Sequence, residues 1–140
     1  MSKFLHVDIV SPSGSVYSGP AAGVKAPGTA GLFEVLVNHA PMVATFDVGQ
    51  IVVTSDTSER IDVATSGGFL EVSDNRVTVL AETAELATDI DVARAQAAEE
   101  RAVKVLGNEP TSEERDRYER ALDRARNRLR IAMGAVGHTA

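Results

Sequence analysis

Leu5, Val7 and Ile9 alternate with His6, Asp8 and Val10, so an extended chain would present one set on each face. This pattern predicts a strand near the start of the chain, broken by the turn-forming run Ser11-Pro12-Ser13-Gly14-Ser15. Shorter strand-like runs follow near Val16-Tyr17, from Gly23 to Ala26 and from Leu32 to Val37. Ile51-Val52-Val53-Thr54 is rich in β-branched residues, and Ser55-Asp56-Thr57-Ser58-Glu59 reads as a hairpin connection to a returning strand, Arg60 to Thr65. Gly67-Gly68 precedes Phe69-Leu70-Glu71-Val72, and Ser73-Asp74-Asn75 forms a tight turn before Arg76-Val77-Thr78-Val79-Leu80-Ala81. Turn signals this frequent predict a sandwich or barrel of about eight to ten short strands ending near Glu82.

Past Thr83 the period lengthens. Thr88-Asp89-Ile90-Asp91 has the spacing of a capping box with Thr88 as cap, and no Gly or Pro interrupts Asp89 to Leu106. Gly107-Asn108-Glu109-Pro110 stops this helix, with Gly107 as its C-terminal cap, and Thr111-Ser112-Glu113-Glu114 opens a second. Tyr118, Ala121, Leu122, Ala125, Leu129, Ala132, Met133 and Val136 form a narrow apolar stripe on the second helix. Ile90, Ala93, Ala97, Ala98, Ala102, Val105 and Leu106 are the expected counterparts on the first. The short connection makes the helices an antiparallel hairpin. An alanine seam removes little apolar area from water, at about 25 cal/mol per Å². Such a hairpin must rest on the sheet part or on a partner, and reads as a weakly held appendage able to dock in more than one way. The expected fold class is therefore β plus α, an N-terminal β-sandwich (residues 1–84) followed by a C-terminal antiparallel α-helical hairpin (residues 85–140).

Composition divides the same way. Five of the six aromatic residues, four of the five prolines and eight of the eleven glycines lie at or before Phe69, which marks two kinds of structure in one chain. The net charge of −6 makes the 140-residue chain a poor candidate for nucleic-acid binding, and the absence of cysteine excludes disulfides and thiolate chemistry. The first residues have neither the apolar run of a secretory signal nor the arginine-rich character of a transit peptide, so the protein is expected to act in the compartment where it is made. The second helix carries Arg115, Arg117, Arg120, Arg124, Arg126, Arg128 and Arg130, with no acid from Arg124 to Val136. These arginines suit either a solvated face that complements the helix dipole or contact with an acidic or phosphate-bearing partner.

No catalytic constellation emerges. Gly67-Gly68 lacks the following lysine and helix of a phosphate loop and reads as a backbone constraint at a tight turn. His6, His39 and His138 lack the spacing of a metal site; His39 reads as a turn histidine with a hydrogen-bonded ring, and His138 as part of a tail. Asp91, Arg94 and Ala95 share one helical face, as do Arg124 and Arg128, which would border the groove between the helices. They suit either intrahelical ion pairing or a grip on phosphates, with Asp91 orienting Arg94.

Asn38-His39-Ala40-Pro41, Ser66-Gly67-Gly68-Phe69-Leu70-Glu71-Val72, Val77-Thr78-Val79-Leu80-Ala81 and Asp89-Ile90-Asp91-Val92-Ala93-Arg94-Ala95 stand in an order that resembles the epsilon subunit of bacterial and plastid F-type ATP synthases. The resemblance runs from about Phe4 to Val136. It implies a non-catalytic rotor subunit whose sandwich binds the gamma subunit and sits on the c-ring, coupling proton-driven rotation to ATP synthesis by the alpha and beta subunits. It implies that Asn38, His39 and Pro41 contact the c-ring. It also implies a hairpin that either lies folded or extends along gamma, where it inhibits ATP hydrolysis as the Arg115–Arg130 series faces acidic segments of beta. Some members bind ATP, with no cofactor required; the matching residues here are Glu85, Ile90, Asp91, Arg94, Ala95, Arg124 and Arg128. Glu34 and Val37 depart from the glycine and proline common in the family's loop. The implied location is peripheral on the cytoplasmic side of a bacterial inner membrane, with the stromal side of a thylakoid as the lesser alternative. A free nucleotide-sensing module is the second hypothesis, and an enzyme built on the sandwich the third.

Overall fold

The structure, a computed structural model, describes residues 3–137, with side chains as far as Gly134. The expectations for the Val136 side chain and for His138 fall outside the described residues. The chain divides into two compact units, one up to Leu86 and one from Ala87.

Nine strands are found among the described residues of the first unit: β1 (Leu5–Ser11), β2 (Gly14–Gly28), β3 (Gly31–Leu36), β4 (Met42–Phe46), β5 (Gly49–Ser55), β6 (Arg60–Thr65), β7 (Gly68–Ser73), β8 (Arg76–Ala81) and β9 (Ala84–Leu86). They pair in the order β1-β8-β7-β4-β2-β5-β6-β9, with β3 on β2 and a further β1–β2 pairing. The long strand β2 makes the sandwich. Its first half pairs with β1, from Leu5 opposite Ala21 to Ser11 opposite Gly14, and its second half pairs with β3 and β5. The two short runs expected near Val16-Tyr17 and Gly23–Ala26 are thus one strand. A register shift between Ala21 and Gly23 lets it bend from one layer into the other.

The alternation read from the sequence decides which residues fill the core. Leu5, Val7 and Ile9 of β1 are buried, as are Val77 and Val79 of β8 and Leu70 and Val72 of β7. They pack in one cluster with Val24, Val35, Ile51, Val53 and Val63 from the other strands. The loop between β5 and β6 is organised by buried Ser55, whose Oγ accepts from the amides of Thr57 (3.2 Å) and Glu59 (3.0 Å). On the outer side of β1, the Ser18 hydroxyl donates to Asp8 at 2.6 Å. That bond, helped by nearby His6 and Arg76, holds the Asp8 carboxyl below the usual carboxylate range. The expected end of the strands near Glu82 is too early, because β9 adds a short edge with Glu85 opposite Ala64.

In the second unit a 3-10 turn, Ala87–Asp89, leads to α1 (Val92–Leu106) and α2 (Ser112–Gly137). Thr88 does not cap the first helix. The 3-10 turn takes up that segment, and Asp91 is the cap, its Oδ1 accepting from the Arg94 amide at 3.0 Å. The second capping box forms as expected. Thr111 donates its amide to Glu114 Oε1 at 3.0 Å, and Glu114 returns its amide to Thr111 Oγ1 at 3.1 Å. The bond from the Thr111 backbone amide, helped by the Thr111 hydroxyl, holds the Glu114 carboxyl below its ordinary range. Gly107 ends α1 with its amide on the Val103 carbonyl at 3.0 Å, but it stays right-handed at φ −84°; the left-handed residue is Glu109, at φ 45°.

The buried faces of the helices differ in detail from the expected stripes. On α1, Ala95 and Ala102 are buried, with Ala98, Val105 and Leu106 half-buried, while Ala93 and Ala97 are exposed. On α2, Ala125, Asn127, Ile131 and Ala132 are buried, and Met133 is 71% exposed. The α2 face is turned toward the side of Arg124, Asn127 and Arg128, polar residues that an apolar pattern passes over. Arg126 joins the two helices through an ion pair with Glu99 at 3.3 Å. Among the described residues, no helix is long and apolar enough to cross a membrane.

Candidate functional site

Two regions carry the chemistry, one in each unit. In the first, Leu36 to Pro41 connects β3 to β4. The His39 amide donates to the Leu36 carbonyl at 3.2 Å, closing a turn with Asn38 at φ 66°. A positive φ at the third turn position suits asparagine, whose short side chain tolerates the left-handed region. His39 Nδ1 donates to the Ala40 carbonyl at 2.8 Å, so its ring is fixed as a turn histidine, as its sequence context predicts. Asn38 and Pro41 are exposed and His39 is half-buried.

A contact that the sequence reading missed holds this loop. Asn75, in the turn between β7 and β8, accepts the Asn38 amide at 2.6 Å through Oδ1. Its Nδ2 donates to Asn38 Oδ1 at 3.1 Å. The two residues lie 37 positions apart, and the only local signal was an asparagine in each of two turns.

The second region is the helical hairpin. Of the nucleotide candidates, Glu85 is on β9 and belongs to the first unit; the others belong to the second. Ile90 is buried just before α1, and Asp91 and Arg94 are joined through the cap, with the Arg94 side chain exposed. Ala95 is 3% exposed and fills the buried face of α1. Arg124 and Arg128 are half-buried, one turn apart on the buried side of α2 and flanking Ala125 and Asn127. Arg115, Arg117, Arg120, Arg126 and Arg130 are exposed. Of these, Arg126 is engaged by Glu99, and Arg130 donates to Asn127 Oδ1 at 2.7 Å. Arg117 lies 5.5 Å from the centre of the Tyr118 ring. Among the described residues, no group of histidine and carboxylate side chains is arranged to hold a metal.

Gly67, at φ 123°, lies in the connection between β6 and β7, whereas Gly68 belongs to a strand. Gly68 opens β7 at φ 153°, and a Cβ added there would overlap the Leu80 carbonyl oxygen of β8.

A sandwich followed by a long helical arm is the architecture of the delta/epsilon chains of ATP synthases. The beta-sandwich domain of that family matches residues 4–87, and its long alpha-helix domain matches residues 88–133. The ATP synthase epsilon chain of Salinibacter ruber is 54% identical over 145 residues, covering 98% of this chain and 97% of that one. The epsilon chain of Halalkalibacterium halodurans is 44% identical over 130 residues, covering 91% and 96%. A chain in the Euglena gracilis mitochondrial ATP synthase structure has the same fold at 21% identity, with a TM-score of 0.78 over 99% of this chain and 84% of that one. This chain belongs to the ATP synthase epsilon chain family.

Proposed function

We propose that the protein is the non-catalytic central-stalk subunit of an F-type ATP synthase, coupling proton-driven rotation of the c-ring to ATP synthesis and regulating hydrolysis. The carrying observation is the match along both halves of the chain, sandwich then helices, to epsilon chains that it covers almost completely. In this reading the sandwich holds a fixed shape between gamma and the c-ring, with Asn38, His39 and Pro41 as ring contacts. It places the chain peripherally on the cytoplasmic side of a bacterial inner membrane, through the complex.

The hairpin is the regulatory arm. Its buried positions are largely alanines, Ala95, Ala102, Ala125 and Ala132. Each contributes little burial energy, so closed and extended arrangements stay within a few kcal/mol of each other. When extended, the exposed arginines Arg115, Arg117, Arg120, Arg126 and Arg130 would meet acidic segments of beta, joined there by Arg124 and Arg128. The test is ATP hydrolysis by the reconstituted alpha–beta–gamma head with the intact chain and with a chain ending at Thr88. Removal of the arm is expected to raise hydrolysis severalfold; an unchanged rate rejects the inhibitory role.

Regulatory ATP is the finer part of the proposal. Its support is the pair of half-buried arginines, Arg124 and Arg128, on the side of α2 opposite its most exposed residues, in a segment without acids. Asp91, Arg94, Ile90, Ala95 and Glu85 complete the family pattern. ATP that binds only the closed hairpin would hold it closed by linkage, without being hydrolysed. Calorimetric titration is expected to show saturable binding that weakens about tenfold or more in Arg124→Ala, the loss of one charge-assisted contact. No heat of binding at millimolar ATP would remove this ligand and leave the stalk role untouched.

A further inference from the structure

We propose that Asn75 is a positioning residue that sets the Asn38–Pro41 loop for contact with the c-ring. The inference rests on the reading above that this loop faces the ring. Within the loop, the turn bond from His39 to Leu36 closes the chain on itself but does not orient it against the sheet. Asn75 supplies that orientation. Its Oδ1 accepts the Asn38 amide at 2.6 Å, and its Nδ2 donates a hydrogen bond to Asn38 Oδ1 at 3.1 Å. Two bonds running in opposite directions fix both distance and twist. The anchor is itself held, because the Asn75 carbonyl accepts the His6 amide at 2.8 Å. One residue therefore joins the β7–β8 turn, the start of β1 and the loop.

Residue chemistry explains why asparagine stands there. Asp74 and Asn75 both have positive φ, 50° and 59°, as a two-residue hairpin turn of the primed type requires. That turn alone would accept glycine at position 75 at least as well. Glycine has no side chain for the clamp, and aspartate has the acceptor without the donor. Only the clamp calls for a short side chain that accepts and donates at once while the backbone is left-handed.

The separation of turn from clamp supplies the test. In the full-length Asn75→Gly variant the turn is retained, so the denaturation midpoint and the amide protection of β7 and β8 should stay close to wild type. Exchange at the Asn38 amide is expected to rise about tenfold or more, the loss of one net hydrogen bond. Affinity of the gamma complex of this chain for an isolated c-ring in detergent is expected to fall by a similar factor. Asn75→Asp, which keeps the acceptor, should recover part of both losses, a graded response that a general loss of stability would not give. Unchanged Asn38 exchange in Asn75→Gly overturns the clamp. Faster exchange with undiminished ring affinity overturns the positioning role, provided that His39→Ala and Pro41→Ala do weaken the ring contact. If neither of those weakens it, the ring-contact reading has failed and takes the positioning role with it, whatever the exchange shows.

Discussion

Gly68→Ala is expected to lower the stability of the sandwich by on the order of 3 kcal/mol, read as a drop in the denaturant midpoint. The new methyl group would overlap the Leu80 carbonyl oxygen and lie 2.9 Å from Ala81 Cα and 3.0 Å from the Leu80 carbonyl carbon. All three are backbone atoms of β8, so no side chain can swing aside. The site is also central, because Gly68 stands opposite both Ala81 of β8 and Phe46 of β4. Relief would require β7 to separate from β8 where both contribute to the core. The φ of 153° adds a backbone cost for any residue with a Cβ. Gly134→Ala is the control. That glycine is in α2 with nothing within 4 Å of an added methyl, and alanine there should be neutral or stabilise by up to about 1 kcal/mol. Equal midpoints for Gly68→Ala and wild type would refute the close-approach account.

Ala102→Asp is expected to open the hairpin while the sandwich stays folded. Ala102 is fully buried on α1, on the same face as Ala95 and one turn beyond Glu99, which reaches α2 through Arg126. A carboxylate there is forced to leave water or to part the helices. The unpaired alternative costs about 3 kcal/mol or more. An alanine seam has little reserve against that cost, and 3 kcal/mol shifts a two-state equilibrium by about two orders of magnitude. Hydrogen exchange should then lose protection across residues 92–134, with strand amides unaffected. Retained helix protection would mean that the closed hairpin is far more stable than its small side chains suggest.

The strands with clean alternation were legible in the sequence because one face of each is dry. Leu5, Val7 and Ile9 are 1%, 0% and 0% exposed, and β5 and β8 follow the same rule. β4 was not read, since Met42, Val43, Ala44, Thr45 and Phe46 include only one fully buried side chain. β9 was not read because three residues carry too little period, and its pairing with β6 is what makes it a strand. On α2 the stripe runs through Met133 and misses Ile131: an apolar pattern places Arg124 and Arg128 only at the border of the groove and passes over polar Asn127, which is buried. The candidate arginines and Asn38, His39 and Pro41 were found by type and family pattern. Asn75 was not, since a partner 37 residues away leaves no mark on a local pattern.

The position of β1 has a consequence for the order of assembly. One edge of β1 pairs with β2, which follows it directly, but the other pairs in parallel with β8, where His6 meets Arg76 and Val10 meets Leu80. During synthesis the first hairpin can form early, yet the other edge of β1 waits for a strand whose register begins seventy residues later, at Arg76 opposite His6. Through that interval it presents an open, apolar edge able to pair with other chains. The helices, whose contacts are local, are under no such delay. For this protein the hazard in biogenesis lies in the first strand, although the part proposed to move is the helical hairpin.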